Sequence, residues 1–154
     1  MDNPYRFKTK GEMVAECANQ EILKRFVGET ISCSSISKAR YRGESPRHCG
    51  YCVPCLIRRA AIVKAFGSDP TIYSLTGLTG GIIDAKKAEG EHIRAFQLMT
   101  RRLAGRPELA PILIRKPGPL SDYTDGEIAD YADVFRRGIE EVGSFVSSAR
   151  VEPG

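Results

Sequence analysis

The amino-acid sequence predicts a mainly α-helical protein, in which a small loop-and-helix module is followed by a helical hairpin. Apolar residues recur every three or four positions in four segments, which is the spacing of an amphipathic helix. No segment alternates apolar and polar residues over the length of a strand. Four of the five cysteines lie in or beside an irregular stretch between the first two helical segments.

The first predicted helix begins after Thr9. Thr9 and Glu12 have the spacing of a capping box, in which each side chain accepts a hydrogen bond from the other residue's backbone N–H. Gly28 ends the helical pattern. Cys17 falls on the apolar face and is interpreted as a buried thiol that packs as a small hydrophobe. The apolar residues of this helix are Met13, Val14, Cys17, Ile22, Leu23 and Phe26.

The second predicted helix begins near Pro54 and ends at Gly67. Proline is suited to the first turn of a helix, and glycine commonly terminates one. Residues 29–48 before it are rich in Ser, Arg and Gly and lack periodicity, which predicts a loop. Residues 71–81 are interpreted as a linker with a short extended piece at 72–75. We therefore expect one module at residues 1–75 and an α-helical region at residues 76–154.

Two further helices are predicted in the second half of the chain. The first is capped by Asp84 and ends at Gly105, and its apolar stripe includes His92, interpreted as a core histidine. A short helical turn follows at 108–114, and the Pro-Gly-Pro sequence after it predicts a loop. A second capping box, Thr124 with Glu127, begins the last helix, which is expected to reach about residue 150. The two long helices suggest an antiparallel hairpin.

The composition of the chain argues against a membrane protein, a secreted protein and a nucleic-acid-binding protein. Of the 154 residues 42% are apolar, which is enough for a core, yet no stretch approaches the roughly 18 apolar residues of a membrane span. The N-terminus lacks the apolar region of a signal peptide, so a cytoplasmic location without membrane attachment is expected. The net charge is +4 and charges of both signs are interspersed. Tyr41 and Tyr51 are the only candidates for stacking on bases, and a nucleic-acid partner is not expected.

Four cysteines have the spacing of a metal site. Fifteen residues separate Cys33 from Cys49, and two residues separate each of Cys49, Cys52 and Cys55 from the next. A C-x-x-C turn presents two thiolates to one point, and four such donors match tetrahedral zinc. Gly50 permits a positive φ in the turn, and Cys55 falls in the first turn of a helix, where the dipole favours a thiolate. The sequence therefore predicts a structural zinc ion that staples the loop to the helix.

Alternative interpretations of the cysteines remain open. An iron–sulfur cluster also uses C-x-x-C-x-x-C, although the ferredoxin pattern continues with a fourth cysteine and a proline, and here position 59 is Arg59. A redox C-x-x-C would require a thioredoxin-like strand before the helix. Unliganded cysteines are a further alternative, and His48 is a less favourable substitute ligand because it adjoins Cys49.

Three segments together resemble a known family. They read K-T-K-G-E-M at 8–13, T-I-S-C-S at 30–34 and H-C-G-Y-C-V-P-C-L-I-R at 48–58. They resemble the C-terminal part of the 7-cyano-7-deazaguanine synthases (QueC-type) of queuosine biosynthesis, in the PP-loop superfamily. Pro4-Tyr5-Arg6, together with C-V-P-C-L-I-R-R, is closer to the QueC-like proteins of bacterial anti-phage defence operons (QatC-type). The resemblance covers residues 3–75 approximately.

The resemblance implies that Cys33, Cys49, Cys52 and Cys55 bind zinc. It also implies that Lys8, Lys10 and Arg58, which match basic positions of the family pattern, face a substrate or phosphate, while no catalytic residue is assigned. Family enzymes use ATP to adenylate a deazaguanine carboxylate, which ammonia then converts to a nitrile.

The ATP-binding S-G-G-x-D-S loop of the family is absent from these 154 residues, and 76-TGLTGG-81 does not replace it. The chain is therefore expected to be inactive alone and to act with an upstream PP-loop domain or another defence-system protein. A homo-oligomer is a further option. A non-enzymatic, zinc-dependent module that binds protein or nucleic acid is the alternative function.

Overall fold

The structure, a computed structural model, describes residues 3–37, 41, 43 and 45–152, and confirms that the protein is mainly α-helical. The only strands among the described residues are three residues long and pair in parallel, Ile82 with Arg150 in register. In chain order the elements are α1 (Lys10–Ala15), α2 (Gln20–Phe26), α3 (Val53–Phe66), β1 (Ile82–Asp84), α4 (Ala88–Gly105), α5 (Ala110–Leu113), α6 (Asp125–Val146) and β2 (Arg150–Glu152). Single 3-10 turns at Val27–Glu29 and Pro107–Leu109 extend α2 and precede α5.

The first predicted helix is two helices, so the prediction of one continuous helix was wrong. Its start is confirmed, because Thr9 and Glu12 form the capping box. The chain then turns after Ala15, and Asn19 caps α2 by accepting from the backbone N–H of Ile22 at 2.9 Å. The side-chain amide of Gln20 donates to three carbonyls near the end of α1, which compensates for the hydrogen bonds lost at the break.

The break also changes the environment of the apolar residues. Cys17 lies at the break and is half-buried, and its thiol donates to the carbonyl of Asn19 at 3.6 Å. The expectation of a buried thiol was therefore wrong. On α2, Ile22 and Phe26 remain 56% and 49% exposed. The predicted apolar stripe of the first helix thus does not pack into the core over its second half.

The second predicted helix is confirmed as α3. It ends at Gly67, which has a left-handed backbone conformation with φ +78°. Its buried face includes Leu56, Ala60 and Ile62. α3 packs against α1 on one side and α6 on the other, so it lies at the centre of the molecule.

Asp84 does not cap a helix, contrary to the prediction. It is the last residue of β1, and α4 begins four residues later at Ala88. The last helix ends at Val146 rather than near Arg150, because Arg150 begins the partner strand β2. Three-residue strands are too short to show the alternation by which strands are found in a sequence.

Helices α4 and α6 form the expected antiparallel hairpin. The side-chain amide of Gln97 donates to the carbonyl of Val146, whereas Thr100, further along α4, donates to the carbonyl of Ile139, which is earlier in α6. Gly143 faces Thr100 so closely that a Cβ atom would lie 2.1 Å from its hydroxyl. His92 is only half-buried, and the fully buried residue of this face is its neighbour Ile93.

One hydrophobic cluster joins the two predicted parts of the chain. Its buried residues come from α3, the predicted linker, α4, α6 and the segment after α6: Leu56, Ala60, Leu78, Ile93, Val142, Val146 and Ala149. Division at residue 75 remains a prediction, but both parts share this core. Among the described residues, no helix combines the length and apolarity needed to cross a bilayer.

Candidate metal centre

The structure brings four cysteine sulfurs to one point. The Sγ atoms of Cys33, Cys49, Cys52 and Cys55 all lie within 4.8 Å of one another. Cys49 and Cys55 lie 3.9 Å apart, and Cys33 and Cys52 lie 4.0 Å apart. Three of the four side chains are buried, and Cys33 is partly exposed. The fifth cysteine, Cys17, is not in this group.

The cysteines reach the centre from a turn and a helix end. Cys52 is the N-cap of α3, and Cys55 lies in the first turn of that helix. The turn before the helix is held by two backbone hydrogen bonds, from Ser74 to the carbonyl of His48 at 2.8 Å and from Leu75 to the carbonyl of Cys49 at 3.0 Å. The extended piece predicted at 72–75 therefore exists as a single parallel bridge beside the cysteine turn.

Backbone N–H groups point at the sulfurs. The amides of Ser35 and Cys49 each lie 3.3 Å from the Sγ of Cys33, and the amide of Cys52 lies 3.3 Å from the Sγ of Cys49. Hydrogen bonds donated to a sulfur stabilise its thiolate form. The fold thus supplies the partial positive charge that a metal-binding thiolate needs.

The centre favours a bound cation. The hydrogen bond between Cys49 and Cys55 lowers the pKa of the Cys49 thiol and raises that of the Cys55 thiol, with burial adding to the latter. Burial also raises the pKa of the Cys33 thiol. The pair therefore releases one proton readily and retains the second, because two thiolates 3.9 Å apart repel each other in a buried site. A metal cation removes this barrier to full deprotonation.

His48 is a neighbour of the centre and not a member of the sulfur group. Its Nε2 lies 2.9 Å from the carbonyl of Thr30, so this nitrogen must carry the proton and donate. Its Nδ1 lies 3.7 Å from the Sγ of Cys55. The imidazole therefore connects the loop after α2 to the first turn of α3 at the edge of the centre.

Arg59 supports the cysteine turn, and sequence reasoning missed this role. Its buried guanidinium donates to the carbonyls of Gly50, Leu75 and Thr76 at 3.0, 3.1 and 2.7 Å. It also lies 4.5 Å above the ring of Tyr73. Burial lowers the pKa of this arginine. The available signal was its position four residues after Cys55, which places both side chains on one helix face.

The three basic residues matched to the family pattern have different surroundings. Lys8 forms an ion pair with Glu16, and Lys10 is exposed at the start of α1. Arg58 points inward and donates to the carbonyl of Val27 and to the hydroxyl of Thr30. Its guanidinium therefore fastens the 3-10 turn and loop after α2 to α3, and a substrate would have to compete with these contacts.

The two tyrosines considered for nucleic-acid stacking also differ. Tyr41 is 89% exposed, whereas Tyr51 is 6% exposed and packs with the cysteines. Tyr51 is therefore part of the shell around the centre and is not available to stack on a base.

A cleft of about 640 Å³ opens beside His48. Ile31 and Ile72 line it and remain 56% and 73% exposed. The cleft thus presents both apolar and polar side chains next to the candidate metal centre.

Compared with known proteins, the chain matches no family model, no curated protein and no solved structure. The geometry of the four sulfurs and the groups around them therefore define the candidate metal centre.

Proposed function

We propose that Cys33, Cys49, Cys52 and Cys55 hold one structural zinc ion. The observation that carries this proposal is the approach of all four sulfurs to within 4.8 Å of one another. Zinc–sulfur bonds of about 2.3 Å in a tetrahedron place the sulfurs about 3.8 Å apart. Two of the pairs lie 3.9 and 4.0 Å apart and none exceeds 4.8 Å, so the four side chains fit such an ion with small adjustments.

The donor set supports a structural role. Four protein ligands leave no coordination position for water or substrate. Bound zinc would supply two positive charges that offset the thiolates, and the cysteines would then fasten the loop at Cys33 to the N-terminus of α3. Because the unfolded chain does not hold the four thiolates in a preformed site, the free energy of metal binding would contribute to folding.

The distances between the sulfurs and the structure before α3 help to distinguish zinc from an iron–sulfur cluster and from a redox pair of cysteines. A cluster of several iron ions lies between its cysteines and holds the sulfurs further apart than one ion does, so the short distances favour a single ion. A thioredoxin-like redox site needs a strand leading into the helix. In the described residues before α3 only one isolated bridge, at His48, is present. A single iron ion fits the same four sulfurs, and metal analysis distinguishes it from zinc.

We further propose that the chain is the zinc-binding C-terminal region of a QueC-like, ATP-dependent enzyme. That enzyme would adenylate a deazaguanine, in 7-cyano-7-deazaguanine synthesis or in a related anti-phage defence reaction. Support comes from the three sequence segments at 8–13, 30–34 and 48–58. The ATP-binding groups would come from a PP-loop domain upstream or from another defence-system protein.

Exposed apolar side chains support the presence of such a partner. Ile22, Phe26, Ile31 and Ile72 are between 49% and 73% exposed, and the first two lie on α2. A PP-loop domain packed over this surface would bury these side chains and lie next to the cysteine turn. The same surface favours the alternative function, a zinc-dependent module that binds a protein partner without enzymatic activity.

A pyrophosphate-exchange assay tests the enzymatic part. With a carboxylated deazaguanine as substrate, we expect the purified chain alone to show no exchange between pyrophosphate and ATP. We expect the complex of the chain with a PP-loop protein to show exchange. Cys52→Ser should reduce the exchange of the complex, whereas Cys17→Ser should not. Exchange by the chain alone would contradict the need for a partner, and a stable complex without any exchange would favour the interaction module.

A further inference from the structure

Helix α4 carries three arginines, and Arg106 follows directly after its last residue. Arg101, Arg102 and Arg106 are exposed and Arg94 is half-exposed. Within the part of the chain that the structure describes, none of these four side chains has an ion pair or hydrogen bond. We call Arg94, Arg101, Arg102 and Arg106 the basic stripe.

The arginines of the neighbouring helix α6 behave differently. Arg136 pairs with Asp133 at 2.9 Å, and Arg137 pairs with Asp133 at 2.7 Å and with Glu12. The fold therefore neutralises its basic residues on α6 locally and leaves those of α4 available. This contrast is not visible in the net charge of +4, which averages over both helices.

Helix geometry aligns the three basic-stripe arginines that lie within α4 on one side of it. At about 100° per residue, Arg94, Arg101 and Arg102 fall within an arc of about 100°. The rise of about 1.5 Å per residue puts Arg94 and Arg101 about 10.5 Å apart along the axis. The opposite side of the helix carries Ile93 and Leu103, which are 0% and 4% exposed. The basic stripe is therefore directed away from the core.

We infer that the basic stripe of α4 binds the phosphate backbone of a nucleic acid without sequence preference. A linear row of basic side chains on one helix face is the electrostatic footprint of such a partner. Arginine presents a planar fork of N–H groups that matches a phosphate better than the lysine ammonium does. The row holds no aromatic base-stacking residue, so its contacts would be to the backbone.

Two other anionic partners fit the surface less well. A membrane-binding helix needs a broad apolar face beside its basic residues. Among the described residues of α4, Leu98 alone of the large hydrophobic ones is exposed, which does not make such a face. Glu91, which lies exposed on the outer side of α4 one turn before Arg94, weakens the attraction of any anionic partner. Double-stranded DNA carries one negative charge per about 1.7 Å of its axis, a higher charge density than that of an acidic protein segment, so the basic groups attract it more strongly.

Fluorescence anisotropy with a labelled 30-base-pair duplex of arbitrary sequence tests the inference on the full chain. At 50 mM salt we expect a dissociation constant of about 1–100 µM, in the range of non-specific binding. The logarithm of affinity should fall against the logarithm of salt concentration with a slope of about 3, since each neutralised phosphate contributes about 0.9.

Matched double variants separate the basic stripe from general charge. Arg101→Gln with Arg102→Gln should weaken binding about tenfold or more and lower the salt slope by about 2. Lys24→Gln with Arg25→Gln removes the same charge from α2 and should weaken binding less than threefold. Arg94→Gln alone should lower the slope by about 1. Circular dichroism verifies that each variant is folded.

Three results would overturn the inference. The first is the absence of duplex binding at 50 mM salt. The second is an equal loss of affinity in the two double variants, which would show that only net charge matters. The third is tighter binding to polyglutamate or to vesicles of anionic lipid than to the duplex, which would assign the basic stripe to an acidic protein or to a membrane.

Discussion

Gly50 allows the cysteine turn to pass under the segment that follows α3. Its φ is +88°, in the left-handed region that side chains with a Cβ rarely adopt. A Cβ at this position would also lie 2.6 Å from the carbonyl oxygen of Leu75 and 3.0 Å from the Cβ of Tyr73. Both atoms belong to the segment held by the turn's own hydrogen bonds. Conformation and close contact therefore both require glycine here.

Gly50→Ala should be more destabilising than Gly67→Ala. Gly67 has a similar φ of +78°, but a Cβ there would meet nothing within 4 Å. Strain in the left-handed region alone amounts to about 1–2 kcal/mol, so we expect about 1 kcal/mol for Gly67→Ala and about 3 kcal/mol for Gly50→Ala. Urea unfolding in the presence of zinc measures both. Equal losses would show that the contact with Leu75 is not restrictive.

At the residue scale, sequence patterns predicted which cysteines lie together but not the residues that support them. The four cysteines were identified from spacing alone, because a C-x-x-C turn constrains geometry locally. Arg59 was not identified, because the carbonyls that it binds belong to residues 50, 75 and 76, which only the fold brings together. The half-buried position of Cys17 likewise depends on the break between α1 and α2.

At the scale of secondary-structure elements, the side chain of Glu141 holds α1 against α6. Its side chain is 2% exposed, and it accepts from the hydroxyl of Thr9 at 2.7 Å and from the backbone amide of Gly11 at 2.9 Å. Lys64 of α3 donates to the same carboxylate at 3.0 Å. The Glu141 carboxylate at the N-terminus of α1 thus satisfies backbone and side-chain donors of α1 and α3.

Glu141→Gln should destabilise the protein, whereas Glu140→Gln should not. The amide keeps the shape of the side chain but loses the charge and one acceptor, which we expect to lower the free energy of unfolding by about 1–3 kcal/mol. Glu140 is exposed and lies 3.4 Å from Arg136, so its substitution should change stability by less than about 0.5 kcal/mol. Urea denaturation of the two variants would contradict this account if the losses were similar.

The ion pair between Glu12 and Arg137 makes the docking of α1 on α6 dependent on pH. The hydrogen bond from Arg137 holds the pKa of the Glu12 carboxyl below its usual value. A carboxyl with a depressed folded pKa stabilises the fold above its unfolded pKa of about 4.3 and loses that contribution as pH falls through the folded pKa.

Glu12→Gln should therefore lower stability at pH 7 by about 1 kcal/mol, because the pair is partly exposed. The difference from the parent protein should stay constant down to about pH 5 and shrink below pH 4. Glu108→Gln, an exposed control, should show no difference at any pH. Chemical denaturation across this range measures both, and a difference for Glu12→Gln that grows as pH falls would exclude the ion pair as its cause.

Elements with strong local signals were predicted well. The capping boxes at Thr9 and Thr124 and the glycine at the end of α3 mark the observed helix boundaries. The split of the first helix was missed because Gln20 compensates for the break through contacts that periodicity does not reveal. The β1–β2 pair was missed because it joins three-residue segments far apart in the sequence.

At the scale of the whole molecule, the candidate centre stabilises one end of a shared core. Residues around the cysteines form their own buried cluster, and Leu75 contacts both this cluster and the central one. α4 and α6 are held by the central cluster, by a further cluster that includes Leu103 and Ala132, and by their own hydrogen bonds. Loss of the metal should therefore loosen the molecule unevenly.

Cys52→Ser should reduce hydrogen-exchange protection more in residues 30–67 than in α4 and α6. The variant removes one of four ligands from the loop and the first turn of α3, whereas the hairpin keeps its own packing. Cys17→Ser provides the matched control, because Cys17 is the cysteine outside the sulfur group, and it should leave protection unchanged. Equal loss of protection throughout the chain, or no loss, would contradict the proposed local role.

Metal analysis of the purified protein, combined with its optical spectrum, tests the central claim most directly. The account predicts one zinc ion per chain, no visible absorption, and loss of the zinc on substitution of Cys52 but not of Cys17. Protein that is folded without any metal, or that contains iron and absorbs visible light, would contradict it.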